Sequence, residues 1–153
     1  MLTYFLTEQT MKPINFKANP TNQKTLKTLN KKSTQAQSAL SLILAEFYVN
    51  DTFDEASEDI YNVLWNINSL LENAKQTAWS LSINDNQEGI NALYQNLAQA
   101  SGIGALLIRQ RDNVGEWAEG NTMLNALANM LDLIKGVRGI INKLSHNNNS
   151  TTE

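Results

Sequence analysis

A chain of 153 residues with 42% hydrophobic residues is long enough for one ordinary domain and its core, and short for two. It contains no cysteine, which excludes disulfides, thiol catalysis and thiolate metal sites, and a cytoplasmic protein is the default expectation. Charged residues make up only 18%, against about 25% in an ordinary domain, and 21 asparagines take their place on the polar faces.

The placement of charge says more than the net −3. Residues 1–33 hold Lys12, Lys17, Lys24, Lys27, Lys31 and Lys32 against Glu8 alone, which leaves +5 there and −8 on the remainder. Both prolines, Pro13 and Pro20, lie in this stretch, which shows no sustained apolar period. Residues 1–32 are therefore expected to form a flexible basic N-terminal arm, able to fold onto its own domain or reach for a partner. Within it, Leu2, Tyr4, Phe5 and Leu6 leave open a short strand or an apolar anchor, and Met11 is an alternative start of translation. Met1–Thr10 lacks the basic start and unbroken apolar run of a secretory signal. No segment approaches the roughly 18–20 apolar residues of a membrane span, so no membrane partner is expected.

From residue 33 to residue 145 the apolar pattern is helical. Ser33 or Thr34 can cap a first helix that turns Ala36, Leu40, Ile43, Leu44 and Phe47 inward and ends at Val49–Asn50. Asp51 to Leu81 then carries apolar residues every three or four positions, from Phe53, Ile60 and Leu64 through Leu71, Ala78 and Leu81. That is a helix of roughly 45 Å, too long to bury its stripe against anything but other helices. Thr52 and Glu55 have the spacing of a capping box at its start. A short link forces an antiparallel hairpin.

Ser82–Gln87 breaks the period, and a third helix follows from about Gln87 through Ile90, Leu93, Leu97, Ala100, Gly104, Leu107 and Ile108. Gly115 and Gly120 mark an interruption between Asp112 and Asn121. The last helix carries Met123, Leu127, Met130, Ile134, Val137, Ile141 and Leu144, and residues 146–153 are expected to be a disordered polar tail. A weak echo at an offset of 63 residues sets Leu64 over Leu127, Leu70 over Leu133 and Leu81 over Leu144. The same offset sets Leu40 over Ile103, Ile43 over Leu106 and Leu44 over Leu107. The expected fold is all-α, an antiparallel bundle of four helices made as two hairpins.

No residue pattern supports chemistry. A di-iron bundle site needs inward carboxylates with Glu-x-x-His steps, and the single histidine is His146 near the C-terminus. The acids around Asp51–Asp59 suit the N-terminal end of a helix. A nucleophilic serine or threonine needs a positioned base, and the sole histidine falls in the expected polar tail, while Gly102-Ile103-Gly104 lacks the further glycine and preceding strand of a phosphate loop. No catalytic residues, metal or cofactor are expected.

Residues 97–111 offer a partial helix-turn-helix pattern, with Ala98, Gly102, Ile103 and Ile108 at the small, turn and core positions. In that reading Arg109, Gln110 and Arg111 would meet nucleic acid as part of a transcriptional regulator. Against it stand Ser101 at a place usually apolar, the greasy Leu106-Leu107-Ile108 run, and a net acidic body where nucleic acid demands a basic face. Nucleic acid is the disfavoured partner. The aromatic pattern points instead to protein contact. Tyr61, Trp65 and Trp79 lie off the main stripe of the long helix, the two tryptophans close to four whole turns apart, and Trp117 falls where it can cap the same flank. The expectation is a non-catalytic adaptor, regulator or inhibitor that pairs as a homodimer through this aromatic flank.

Overall fold

The computed structural model describes residues 20–50, 57–84 and 88–149. They form four helices: α1 (Pro20–Asn50), α2 (Ser57–Asn84), α3 (Glu88–Val114) and α4 (Gly120–Asn149). Each runs about 40–46 Å, a length that linkers of three to six residues cannot retrace, so successive helices are antiparallel. Each helix packs against its two neighbours, α1 to α2, α2 to α3, α3 to α4 and α4 back to α1. The result is an up-down-up-down ring around one core, an all-α bundle.

The core follows a seven-residue repeat on every helix. On α2 the buried positions are Ile60, Leu64, Ile67, Leu71, Ala74, Ala78 and Leu81, alternating steps of four and three. Such a repeat averages 3.5 residues per turn and keeps one seam facing its neighbours in left-handed, coiled-coil-like packing.

Helix α1 begins well before the expected cap at Ser33. Proline is favoured at a first helical position because its fixed φ suits the helix and its missing N–H would be unpaired there anyway, and Pro20 opens the helix. Residues 20–32, expected in the flexible arm, are its first turns. The repeat was hard to see because only Leu26 and Leu29 carry it in this stretch, and the next core position is Ser33. Ser33 is fully buried in mid-helix, with its Oγ unpartnered among the described residues. At the other end α4 continues to Asn149, so residues 146–149 are helical where a polar tail was expected. Residues 1–19, with the Leu2–Leu6 cluster, and the Thr52/Glu55 capping pair lie outside the described residues.

The two hairpins repeat one another more closely than the sequence echo suggests. Each of the seven buried positions of α2 has a buried counterpart on α4 just 63 residues later, from Ile60 with Met123 to Leu81 with Leu144. Nine heptads separate them, and the helix starts, Ser57 and Gly120, coincide at the same offset. For α1 and α3 the register is 64, pairing Leu26 with Ile90, Leu29 with Leu93, Ile43 with Leu107 and Leu44 with Ile108. The expected pairs Leu40/Ile103 and Ile43/Leu106 are therefore one residue out: Ile103 is only partly buried and Leu106 is 62% exposed. The first hairpin's linker, residues 51–56, is one residue longer than residues 115–119 of the second, and this restores 63 for the following helix.

The α3–α4 connection is capped at both ends. Gly115 takes φ +82°, a left-handed conformation that glycine adopts without a Cβ clash, and its N–H bonds the Arg111 carbonyl at 2.9 Å to end α3. The Arg111 guanidinium donates back to the Gly115 carbonyl. On the far side the Met123 N–H bonds the Glu119 carbonyl at 2.9 Å, the first bond of α4.

Candidate interaction surface

Of the residues singled out for protein contact, all four lie on or beside the outer seam between α2 and α3, in two groups. Near the α3–α4 connection, Tyr61 meets Trp65 edge-on with ring centroids 6.4 Å apart and tilts against Trp117 at 6.2 Å. The Tyr61 hydroxyl donates to Asp112 Oδ1 at 2.7 Å, which ties α2 to the end of α3. Four turns along α2, Trp79 packs on Tyr94 of α3 with centroids 5.3 Å apart. Trp65 and Trp79 are 46% and 53% exposed, whereas Tyr61 and Trp117 are partly buried against the core. Trp117 belongs to the bundle more than to the surface: its Nε1 is buried without a partner among the described residues, and the Arg111 guanidinium lies 6.0 Å from its ring centroid.

Two shallow grooves flank the exposed tryptophans. One, of about 400 Å³, is lined by Lys75, Gln76, Trp79, Ser80 and Tyr94. The other, of about 240 Å³, is lined by Trp65, Asn68, Ala105, Ile108, Arg109 and Asp112. Between them the seam is polar. Ser101, buried on α3, donates its hydroxyl hydrogen to the Glu72 carboxylate, and Asn68 Oδ1 lies 3.5 Å from the same oxygen. Lys75 pairs with Glu72 at 3.0 Å. The Ser101 hydroxyl first, and then the Lys75 ammonium, hold the Glu72 carboxyl below its ordinary value against a weaker opposing effect of burial.

Tyr94 and the Ser101–Glu72 contact went unmarked in the sequence. In the sequence Ser101 stands out only as a polar residue at a usually apolar place, and its partner lies 29 positions earlier on another helix. Only the relative rotation of α2 and α3 reveals that pairing.

The helix-turn-helix expectation fails on geometry. Helix α3 is unbroken from Glu88 to Val114, so no turn forms at Gly102 and there is no separate recognition helix. The core repeat runs through this stretch without a break, from Leu97 and Ala100 to Gly104 and Leu107, all buried. Arg109 and Gln110 are exposed on the last turns of α3, while Arg111 is engaged in ending the helix. Among the described residues no three His, Asp or Glu side chains gather as a metal-ligand set, and no helix is long and apolar enough to cross a membrane. No protein-family model, curated protein or solved structure matches this chain.

Proposed function

We propose that this chain is a non-catalytic interaction protein that pairs with a second copy of itself through the outer α2–α3 face. The observation that carries the reading is the exposure of Trp65 and Trp79, each about half open to solvent on one flank of one helix. Large rings of this kind gain most when they desolvate at the centre of a contact.

Their placement favours a second copy. Trp65 and Trp79 stand seven residues either side of Glu72. A copy laid antiparallel about a twofold axis at Glu72 sets Trp65 of one chain opposite Trp79 of the other, twice. Self-complementarity of that kind is what a closed twofold dimer requires. Asn68 and Gln76 supply an amide rim, and each Glu72 already has its own Lys75 as counter-charge. A paired surface of this type works by scaffolding or occlusion, the action of an adaptor, regulator or inhibitor.

Light scattering across a concentration series tests the proposal. The expected result is a dimer that the double variant Trp65→Ala/Trp79→Ala converts to a monomer with its melting temperature nearly unchanged. A wild-type chain monomeric at every concentration, or a double variant that melts early while its mass stays dimeric, overturns it.

A further inference from the structure

The acidic body from which the sequence disfavours nucleic acid is not uniformly acidic. Antiparallel packing places the start of α1 beside the end of α4: Leu26 and Ile141 line one groove of about 330 Å³, together with Gln23, Asn30, Asn142 and Ser145. From Pro20 to Ala45 on α1, and from Leu133 to Asn149 on α4, there is no aspartate or glutamate. Those two stretches carry Lys24, Lys27, Lys31, Lys32, Lys135, Arg138 and Lys143. Most of the described acids lie toward the other end of the bundle, with Glu46, Glu58, Asp59, Asp112, Glu116 and Glu119, while Glu72 and Asp132 lie mid-helix and Glu88, at the start of α3, stands at the lysine end. Helix dipoles cancel in an antiparallel bundle, so this segregation of side chains sets the field of each end.

On α1, Lys24, Lys27 and Lys31 follow the i, i+3, i+7 spacing of one stripe, opposite the core residues Leu26 and Leu29, and all three are exposed. They span about 10 Å along the helix. Lys135 and Lys143 are exposed on α4, whose axis lies about 8–10 Å away. Arg138 stitches the two helices, donating from Nη1 to Gln37 Oε1 at 2.8 Å. Beside Leu26 and Ile141, the groove between the rows is lined by Lys27, three amides and a hydroxyl, groups that bind phosphate and sugar oxygens.

We propose that this half of the α1–α4 face docks the phosphodiester backbone of nucleic acid without reading its sequence. Phosphates spaced about 3.4 Å along each strand put several within reach of a patch this size. A lipid surface fits less well, because of the large exposed apolar side chains only Leu42 lies in these two stretches, and it stands ten residues beyond Lys32, away from the lysines, while Tyr48, Trp65, Trp79, Leu106 and Val114 lie outside them. The surface is separate from the tryptophan flank, and the inference stands independently of self-pairing.

Fluorescence anisotropy of a labelled random duplex, with the full chain at about 50 and about 200 mM salt, tests it. Four neutralised phosphates predict an affinity loss of about a hundredfold between the two, at a slope of about −0.9 per phosphate. Lys24→Glu/Lys27→Glu/Lys31→Glu is expected to abolish binding at the lower salt with the helical circular dichroism retained. Lys135→Gln/Lys143→Gln, on the other helix, is expected to lower the slope by about two and provides a second reading should the triple variant unfold. Absence of duplex binding at about 50 mM salt, or binding that neither variant alters, overturns the proposal. So does equal binding to polyglutamate or to phosphatidylserine/phosphatidylcholine vesicles, which would make the patch a generic anion or membrane surface.

Discussion

Ser101 of α3 gives its hydroxyl hydrogen to the Glu72 carboxylate of α2, joining a buried serine to a carboxylate on the outer seam between the helices. The contact keeps the ionised form of Glu72 favoured, so its folded-state titration lies below the ordinary 4.5. A group lowered on folding contributes stability that is complete above its unfolded value and disappears as pH falls through the lowered one. With 42% of the Glu72 side chain exposed, solvent screening holds that contribution under about 1 kcal/mol. In a carbon-13 NMR titration, Ser101→Ala is expected to raise the Glu72 midpoint toward 4.5. An unmoved midpoint would show that Lys75 alone accounts for the shift.

The two buried serines are expected to respond with opposite signs. Ser101 has a charged acceptor, and Ser101→Ala should cost about 1 kcal/mol. Ser33 has a fully buried and unpartnered oxygen, so Ser33→Ala removes a desolvation penalty without opening a large void. A gain of about 1 kcal/mol in urea denaturation is expected. A loss on Ser33→Ala would mean the hydroxyl finds a partner in solution.

Gly102 and Gly104 stand two residues apart on the same helix yet predict different outcomes. A Cβ at Gly102 meets nothing within 4 Å, and Gly102→Ala should realise the helix gain of about 1 kcal/mol. At Gly104 the added carbon falls 3.0 Å from Asn68 Oδ1 and 3.2 Å from Cε of the fully buried Met130. Both side-chain ends must give by a few tenths of an ångström, which offsets the helix gain, so Gly104→Ala is expected to stabilise less than Gly102→Ala. Thermal denaturation of the two variants side by side measures the difference.

Most of the architecture can be read from spacing, because a heptad of apolar residues is a local signal wherever those residues are apolar. It failed between residues 20 and 32, where Ser33 interrupts the repeat and four lysines dominate the composition, giving the appearance of a solvated arm. Trp65 and Trp79 could be placed off the core stripe from periodicity alone. Tyr94 and Glu72 could not, since a seam between two helices depends on how each is rotated against the other. The basic half-face was hidden for a similar reason. Its lysines sit more than a hundred residues apart in sequence, and only the antiparallel return of α4 brings them together.

Equivalent core positions in the two hairpins should carry equivalent energy. Leu64 and Leu127 are both fully buried at corresponding positions, so Leu64→Ala and Leu127→Ala should each cost 2–5 kcal/mol, roughly, and agree within about 1. Leu106→Ala, at a position 62% exposed, should cost well under 1 kcal/mol, roughly. Costs that differ by several kcal/mol between the two buried leucines would deny the correspondence.

Near-duplicate hairpins carry a folding hazard, since what α3–α4 shows to α1–α2 closely matches what it would show to another α3–α4. A chain whose linker opens during refolding meets its neighbour's hairpin as readily as its own, and domain exchange at high protein concentration follows. Correct mating is then governed by the positions where the copies disagree in bulk, Ser33 against Leu97, Leu40 against Gly104, Ala74 against Val137 and Ala78 against Ile141. There a large side chain in one hairpin corresponds to a small one in the other, and evening out those sizes would erase the molecule's means of telling its own halves apart.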